Sequence, residues 1–252
     1  MHRLASKETV MISVDVRNLT FSYRPETTVL RDISFTVSAG EVFVIAGLSG
    51  SGKTTLCQIL SGVIPHAVKG HLNGQVRIMD IEPSAAGLPQ TALKAGMVFQ
   101  DVDSQLICTT VEDELAFGLE NLCRPAEDIR RRVEELLDEF GLSALRLTNP
   151  ADLSGGQKKL LTIAAVLTSD PPVLILDEPM SGLDDDGRQL IRTTIETLRD
   201  KGRSVIIVEH DLKYVTFADK WLLLENGAVV ACGTPSELLE RDDFLTELGV
   251  WE

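Results

Sequence analysis

The chain has 252 residues, 44% of them hydrophobic, and a formal net charge of −14. Such a length and apolar content fit one globular domain with a subdomain better than two independent domains, and the acidic balance excludes a protein built to coat nucleic acid. The four cysteines (Cys57, Cys108, Cys123, Cys232) are scattered with no CxxC pair, which argues for a reducing compartment and against a disulfide scaffold or a cysteine-ligated zinc.

Residues 1–10 are polar and read as a frayed end, and the opening MHRLASKETVMIS lacks the apolar middle of a signal peptide. Apolar residues then alternate at Ile12, Val14 and Val16, and again at Ile33, Phe35 and Val37, the pattern of half-buried antiparallel strands. Val42–Ala46 is apolar throughout, as are Val173–Leu176 and Val205–Val208. Continuous runs flanked by helical stretches predict central parallel strands covered on both faces. From about Asp101 to Leu153 the pattern turns helical. Thr110-Val-Glu-Asp113 has the form of a capping box, followed by Val111, Leu115, Leu119 and Leu122 at helical spacing. Pro125 interrupts, and Ile129, Val133, Leu136, Leu137 and Phe140 make a second stripe that Gly141 stops. A final hairpin, Trp221–Leu224 to Ala228–Ala231, turns at Asn226-Gly227 as a type I′ turn. No apolar run approaches the ~20 residues that span a bilayer, so the expectation is a cytoplasmic protein that meets a membrane only through a partner.

Three stretches carry chemistry. Gly47-Leu48-Ser49-Gly50-Ser51-Gly52-Lys53-Thr54 fits G-x-x-x-x-G-K-[ST] in full, directly after a buried strand and before a helix opening at Thr55. Its glycines let backbone N–H groups wrap a phosphate at a helix N-terminus. Lys53 is placed for the β and γ phosphates of ATP, and the Thr54 hydroxyl for magnesium. Asp177 and Glu178 end the Val173 strand, where ligands of open α/β sheets bind. There Asp177 is suited to the magnesium shell and Glu178 to polarising the attacking water as a general base. Leu153-Ser154-Gly155-Gly156-Gln157 precedes another helix and reads as a second anion site.

With these motifs in this order, the sequence resembles the ABC ATPases over essentially its whole length. The resemblance implies an α/β fold: a RecA-like P-loop NTPase core (12–100 and 154–235) with an antiparallel β subdomain and an inserted α-helical subdomain (about 101–153), together one domain over 12–247. It makes Tyr23 the aromatic that stacks on adenine and Gln100 the Q-loop glutamine that senses magnesium. Ser181-Gly182-Leu183-Asp184 becomes the D-loop, and His210 the switch histidine contacting the γ-phosphate and the attacking water. Ser154–Gln157 becomes the signature, which acts on ATP held by a second subunit, so a homo- or heterodimer is implied. The helical subdomain after Gln100 would pass the motion of that dimer to integral membrane subunits, placing the chain on the cytoplasmic face of the cell membrane.

Within the family, Val98–Leu106, Thr110–Gly118 with Asn121-Leu122, and Ile64–Gly70 look like energy-coupling-factor ATPases, importers of vitamins and of cobalt or nickel ions. Lys158-Lys-Leu-Leu161 departs from the usual Gln-Arg or Arg-Val, and Met180 from the usual Thr. By the resemblance, neither position carries the hydrolytic chemistry. The extended C-terminal region of some such ATPases is not expected after Trp251. The rival readings are a soluble ABC ATPase, as in iron–sulfur assembly, and the ATPase of a binding-protein-dependent importer.

Some features read as bland. Arg130–Arg132 is a solvated helix face balanced by Glu134 and Glu135. His66 and His71 lack partners at ligand spacing and read as loop histidines. The Asn18-Leu-Thr20 sequon carries no weight without a secretory signal. In the segment Asp101–Leu106 and onward, Val102, Leu106 and Ile107 suggest a surface groove gripping a partner helix.

Overall fold

The computed structural model describes residues 11–251, so the frayed end expected for 1–10 lies outside the described residues. Two sheets organise them. Strands β1 (Ile12–Arg24), β2 (Thr27–Ser38) and β4 (His71–Ile78) form an antiparallel sheet in the order β2-β1-β4. The second sheet runs β5-β6-β7-β3-β8-β9 and comprises β3 (Val42–Ala46), β5 (Ala95–Val98), β6 (Val173–Asp177), β7 (Ser204–Glu209), β8 (Lys220–Glu225) and β9 (Ala228–Gly233). Its first five strands are parallel, and β9 returns antiparallel to β8 through Asn226-Gly227, both at positive φ as a type I′ turn requires.

The continuous apolar runs are explained by burial on both faces. Val42, Val44, Leu174, Leu176, Val205 and Ile207 point into one core, beneath the helices. Phe43, Ile45, Val173, Ile175, Ile206 and Val208 point into the other, shared with the antiparallel sheet. Because side chains alternate across a strand, both registers must be apolar when both faces are covered.

Helix α1 (Lys53–Leu60) leaves the end of β3, and three short helices, α2 (Val63–His66), α3 (Pro83–Ala86) and α4 (Leu88–Ala92), lead to β5. The helical stretch begins at α5 (Val111–Asn121), not at Asp101; residues 101–110 form turns. The expected capping box at Thr110 is only half made. Thr110 Oγ1 accepts from Asp113 N, but the Asp113 carboxylate takes the Thr110 hydroxyl rather than its backbone N–H. Aspartate is one methylene shorter than the glutamate that completes a capping box. Helix α6 (Ala126–Glu139) ends before Gly141, whose positive φ closes it as expected. Then follow α7 (Gly155–Val166), α8 (Asp185–Asp200), α9 (Pro235–Leu239) and α10 (Asp242–Glu247).

Three bland readings need adjustment. Arg132 is not simply solvated: it donates to the Leu167 carbonyl at 2.8 Å beyond the end of α7 while pairing with Glu135. His71 lies on β4 rather than in a loop, and His66 bonds the Pro83 carbonyl at 2.9 Å. Among the described residues no helix is long and apolar enough to cross a membrane.

Candidate functional site

The order β6-β7-β3 brings three strand ends side by side: Ala46 lies against Glu209, and Asp177 against Val208. The loops that follow, Gly47–Thr54, Glu178–Asp184 and His210 onward, therefore share one edge of the sheet, where the carboxyl ends of parallel strands open.

The Gly47 loop folds tightly between β3 and α1. A Cβ on Gly47 would run into the Leu224 carbonyl and come within 2.7 Å of Ser51 Oγ, so the close approach requires glycine. Gly52, the N-cap of α1, offers no side chain to the first-turn amides, which are left to whatever sits in the cleft. Lys53 is buried and donates to the Gly47 and Leu48 carbonyls at 2.6 and 2.9 Å. Its burial lowers the ammonium pKa, against the pull of Glu178 and Asp177. The Ser51 hydroxyl is buried without a hydrogen-bond partner among the described residues.

Gln100 and Glu178 meet at the rim. Gln100 Nε2 donates to Glu178 Oε2 at 2.7 Å, and His210 Nδ1 lies 3.7 Å from Glu178 Oε1. Gln100 and Glu178, together with Val29, Ser49, Gly50, Gly52, Lys53, Thr54 and Thr55, line a cavity of about 410 Å³. Asp177 lies behind it, its carboxyl raised to about 6 by burial and by Glu178, with Lys53 opposing. Tyr23 stands beside α1, its hydroxyl sharing a hydrogen bond with Thr55 Oγ1 at 3.0 Å and its ring edge-on to Phe21. The residue is 43% exposed and does not line the cavity.

Ser154–Gln157 does not join this cleft. It lines a separate groove of about 510 Å³ with Gly182, Leu183 and Asp184. Here α7 is capped by its own residues: Ser154 Oγ accepts from Gln157 N, and Gln157 Oε1 accepts from Ser154 N. Asp184 in turn caps α8 by accepting from Gly187 N. Gly155 and Gly156 are not demanded by the fold, since an added Cβ would find nothing nearer than 3.6 Å in either case.

Four residues with no role read from the sequence shape these loops. Gln105 staples the turn after β5, accepting from Phe99 N and donating to the Met97 carbonyl, both at 3.0 Å. Buried Glu114 accepts from the Ile107 and Cys108 amides and ties that turn to α5. Lys159 donates to the Glu178 carbonyl, and Glu209 accepts from Met180 N. Gln105 and Glu114 lie inside the stretches Val98–Leu106 and Thr110–Gly118, and Lys159 inside the departure Lys158–Leu161, but the sequence assigned none of the four a role.

The expected groove after Gln100 is corrected in part. Val102 is buried and Leu106 half-buried against the helical core, because the Gln105 and Glu114 bonds turn the segment inward. Ile107 alone of the three is open, at 61% exposure.

A family model described as ABC transporter matches residues 30–181. A Methanosarcina mazei protein described as an ABC transporter ATP-binding protein is 37% identical over 241 residues, which is 94% of this chain and 41% of that protein. The chain thus spans about two fifths of that relative's length. The energy-coupling factor transporter ATP-binding protein EcfA1 of Oceanobacillus iheyensis is 38% identical over 240 residues, 94% of this chain and 84% of that one. Among solved structures, cbiO1 of Clostridium perfringens, described as part of the ABC transporter complex cbiONQ, superposes with a TM-score of 0.82. It shares 32% identity over 94% of both chains.

Proposed function

Since the chain belongs to the ABC transporter ATP-binding family, we propose that it is the ATP-binding and ATP-hydrolysing subunit of an energy-coupling-factor importer on the cytoplasmic face of a membrane, powering uptake of a metal ion or vitamin. The observation that carries the hydrolytic part is the Gln100–Glu178–His210 cluster at the mouth of the Gly47–Thr54 cleft. The likeness to EcfA1 and to cbiO1 supports the importer part.

In this reading the Gly47–Thr54 amides and Thr55 bind the phosphates, and Tyr23 packs on the adenine. Lys53 exchanges its loop carbonyls for β- and γ-phosphate oxygens. Thr54, Gln100 and Asp177 form an oxygen-only donor set, which suits magnesium, and the burial that raises Asp177 is a cost that a cation would offset. Bound there, magnesium would neutralise phosphate charge. Glu178 orients the attacking water and takes its proton as the bond from the γ-phosphorus to ADP breaks. His210 lies within reach of Glu178 and holds the γ-phosphate side of the cleft.

The second half of each site comes from another ATPase subunit, whose Ser154–Gln157 and Ser181–Asp184 approach the phosphates. What supports this is the room above Gly155 and Gly156: their lack of a side chain serves no contact in this chain. Ser154 would release Gln157 N to reach a phosphate oxygen.

The test is Glu178→Gln, which preserves shape and removes the base. ATP binding is expected to persist while turnover falls at least ~10²-fold. Turnover near that of the wild type would remove Glu178 from the reaction. For the membrane partner, Ile107→Asp is expected to leave basal hydrolysis of the isolated chain unchanged and to abolish co-purification with the membrane subunit. Full-rate transport by this variant would place the coupling surface elsewhere.

A further inference from the structure

Glu178 is held in a conformation that a non-glycine residue adopts only under constraint, with φ at 47°. Left-handed backbone costs an L-residue of order 1–2 kcal/mol and persists where its surroundings over-determine it. Its amide donates to the Val208 carbonyl at 2.9 Å, and its carbonyl accepts from Ser181 N at 3.2 Å. Two ionisable side chains complete the arrangement from beneath. Lys159 Nζ donates to the Glu178 carbonyl at 2.9 Å, and Glu209 Oε1 accepts from Met180 N at 3.0 Å.

Both groups are deeply buried, Lys159 at 7% and Glu209 at 1% exposure. Burial lowers the Lys159 pKa and raises that of Glu209 to about 7, so each pays for its position. Apolar residues of similar volume would pack at lower cost, as replacements of buried ion pairs show. What these two do instead is contact the backbone on either side of Pro179. Lys159 reaches it from α7, the helix whose exposed first turn carries Ser154–Gln157, and Glu209 reaches it from the end of β7, next to His210. Glu209 Oε2 also lies 3.8 Å from His210 Nδ1.

We propose that Lys159 and Glu209 are a pair of positioning residues that clamp the Glu178–Met180 turn, so that the Glu178 carboxylate faces Gln100, His210 and the phosphate cleft. The inference rests on the ATPase reading above and adds to it the residues that aim its base. Without the Lys159 donor, the Glu178 peptide is free to relax toward an ordinary backbone, which swings the carboxylate from the rim. A displacement of ~1 Å in a catalytic group can cost roughly 10²-fold in rate.

The experiment measures ATP hydrolysis and nucleotide affinity on the full chain with magnesium, beside wild type and Glu178→Gln. Lys159→Met keeps the length and removes the donor. Its kcat is expected to fall by about 10-fold or more, with KM for ATP within about 3-fold, the signature of an interaction lost from the transition state. Lys159→Arg, which keeps a cationic donor, is expected to recover most of the rate. Glu209→Leu, which orphans Met180 N, should repeat the kcat loss, and Glu209→Gln, which keeps the acceptor oxygen, should lose far less. Should Lys159→Met fail to fold, the Glu209 pair carries the test alone. A Lys159→Met or Glu209→Leu enzyme with wild-type kcat overturns the clamp, as does a loss that Arg or Gln does not relieve. An inactive wild type would bring down the ATPase reading and the clamp with it, whereas an active wild type with silent variants overturns the clamp only.

Discussion

Gly47 and Gly155 each stand near the start of a helix in a glycine-bearing loop, and their surroundings differ. At Gly47 a methyl group would strike the Leu224 carbonyl and Ser51, whereas at Gly155 it would rest at 3.6 Å from Leu183, an ordinary contact. The first loop is crowded by its own chain, with Lys53 buried and folded onto the Gly47 and Leu48 carbonyls. The second is open, its helix capped by Ser154 and Gln157 from within. One glycine is explained by this fold. The other is called for by nothing among the described residues, as a glycine facing another subunit would be.

Substituting both glycines tests that difference most directly. Gly47→Ala is expected to cost several kcal/mol, of order 3, because backbone rather than a flexible side chain must yield, and ATP binding should be lost with it. Gly155→Ala should melt within ~2 °C of wild type and bind nucleotide normally, yet lose most of its turnover. Differential scanning calorimetry and nucleotide titration separate the two, and a Gly155→Ala protein with full turnover would break the comparison.

The next expected effect is on assembly. In the Glu178→Gln background, ATP should shift the chain from monomer to dimer in light scattering. Adding Ser154→Arg should abolish the shift without altering ATP affinity, since Ser154 lines a groove apart from the cleft. Dimerisation that survives the arginine would show that this groove does not face a second nucleotide.

The last effect concerns the buried turn behind Glu178, where Glu209 holds Met180 N. Burial raises Glu209 from 4.5 to about 7, so the folded chain holds its proton more tightly than the unfolded chain. Its contribution to stability is fully present below pH ~4.5 and lost as pH rises to and beyond ~7. Glu209→Gln removes that loss, so urea unfolding should show the variant gaining on wild type by up to ~3 kcal/mol between pH 5 and pH 8. A gap that does not change with pH would mean that Glu209 is ionised throughout, paired electrostatically with Lys159.

Much of this was legible in the chain itself. The runs at Val42, Val173 and Val205 could be assigned to covered strands because burial on both faces leaves no polar register, and the Asn226-Gly227 turn because both positions need positive φ. The Gly47–Thr54 loop is a contiguous motif whose residues act together whatever the rest of the chain does. Leu106 and Ile107 were not separable in this way. Both are apolar and adjacent, and only the bonds from Gln105 and Glu114 decide that Leu106 turns inward while Ile107 stays out.

The local features were readable along the chain: a glycine-rich loop after a strand, a carboxylate pair at a strand end, a Ser-Gly-Gly-Gln stretch before a helix. These follow from short-range rules of periodicity, capping and backbone freedom, which operate over a few residues. Which atoms of these pieces touch was set by packing across long stretches of chain. Gln100 reaches Glu178 across 78 residues, Met180 reaches Glu209 across 29, and Lys159 reaches the Glu178 carbonyl across 19. No local pattern marks a buried lysine or glutamate as a clamp, because its partner is a backbone atom that strand order brings beside it. The resemblance already set Ser154–Gln157 apart from the Gly47–Thr54 loop, and packing gives each its own groove.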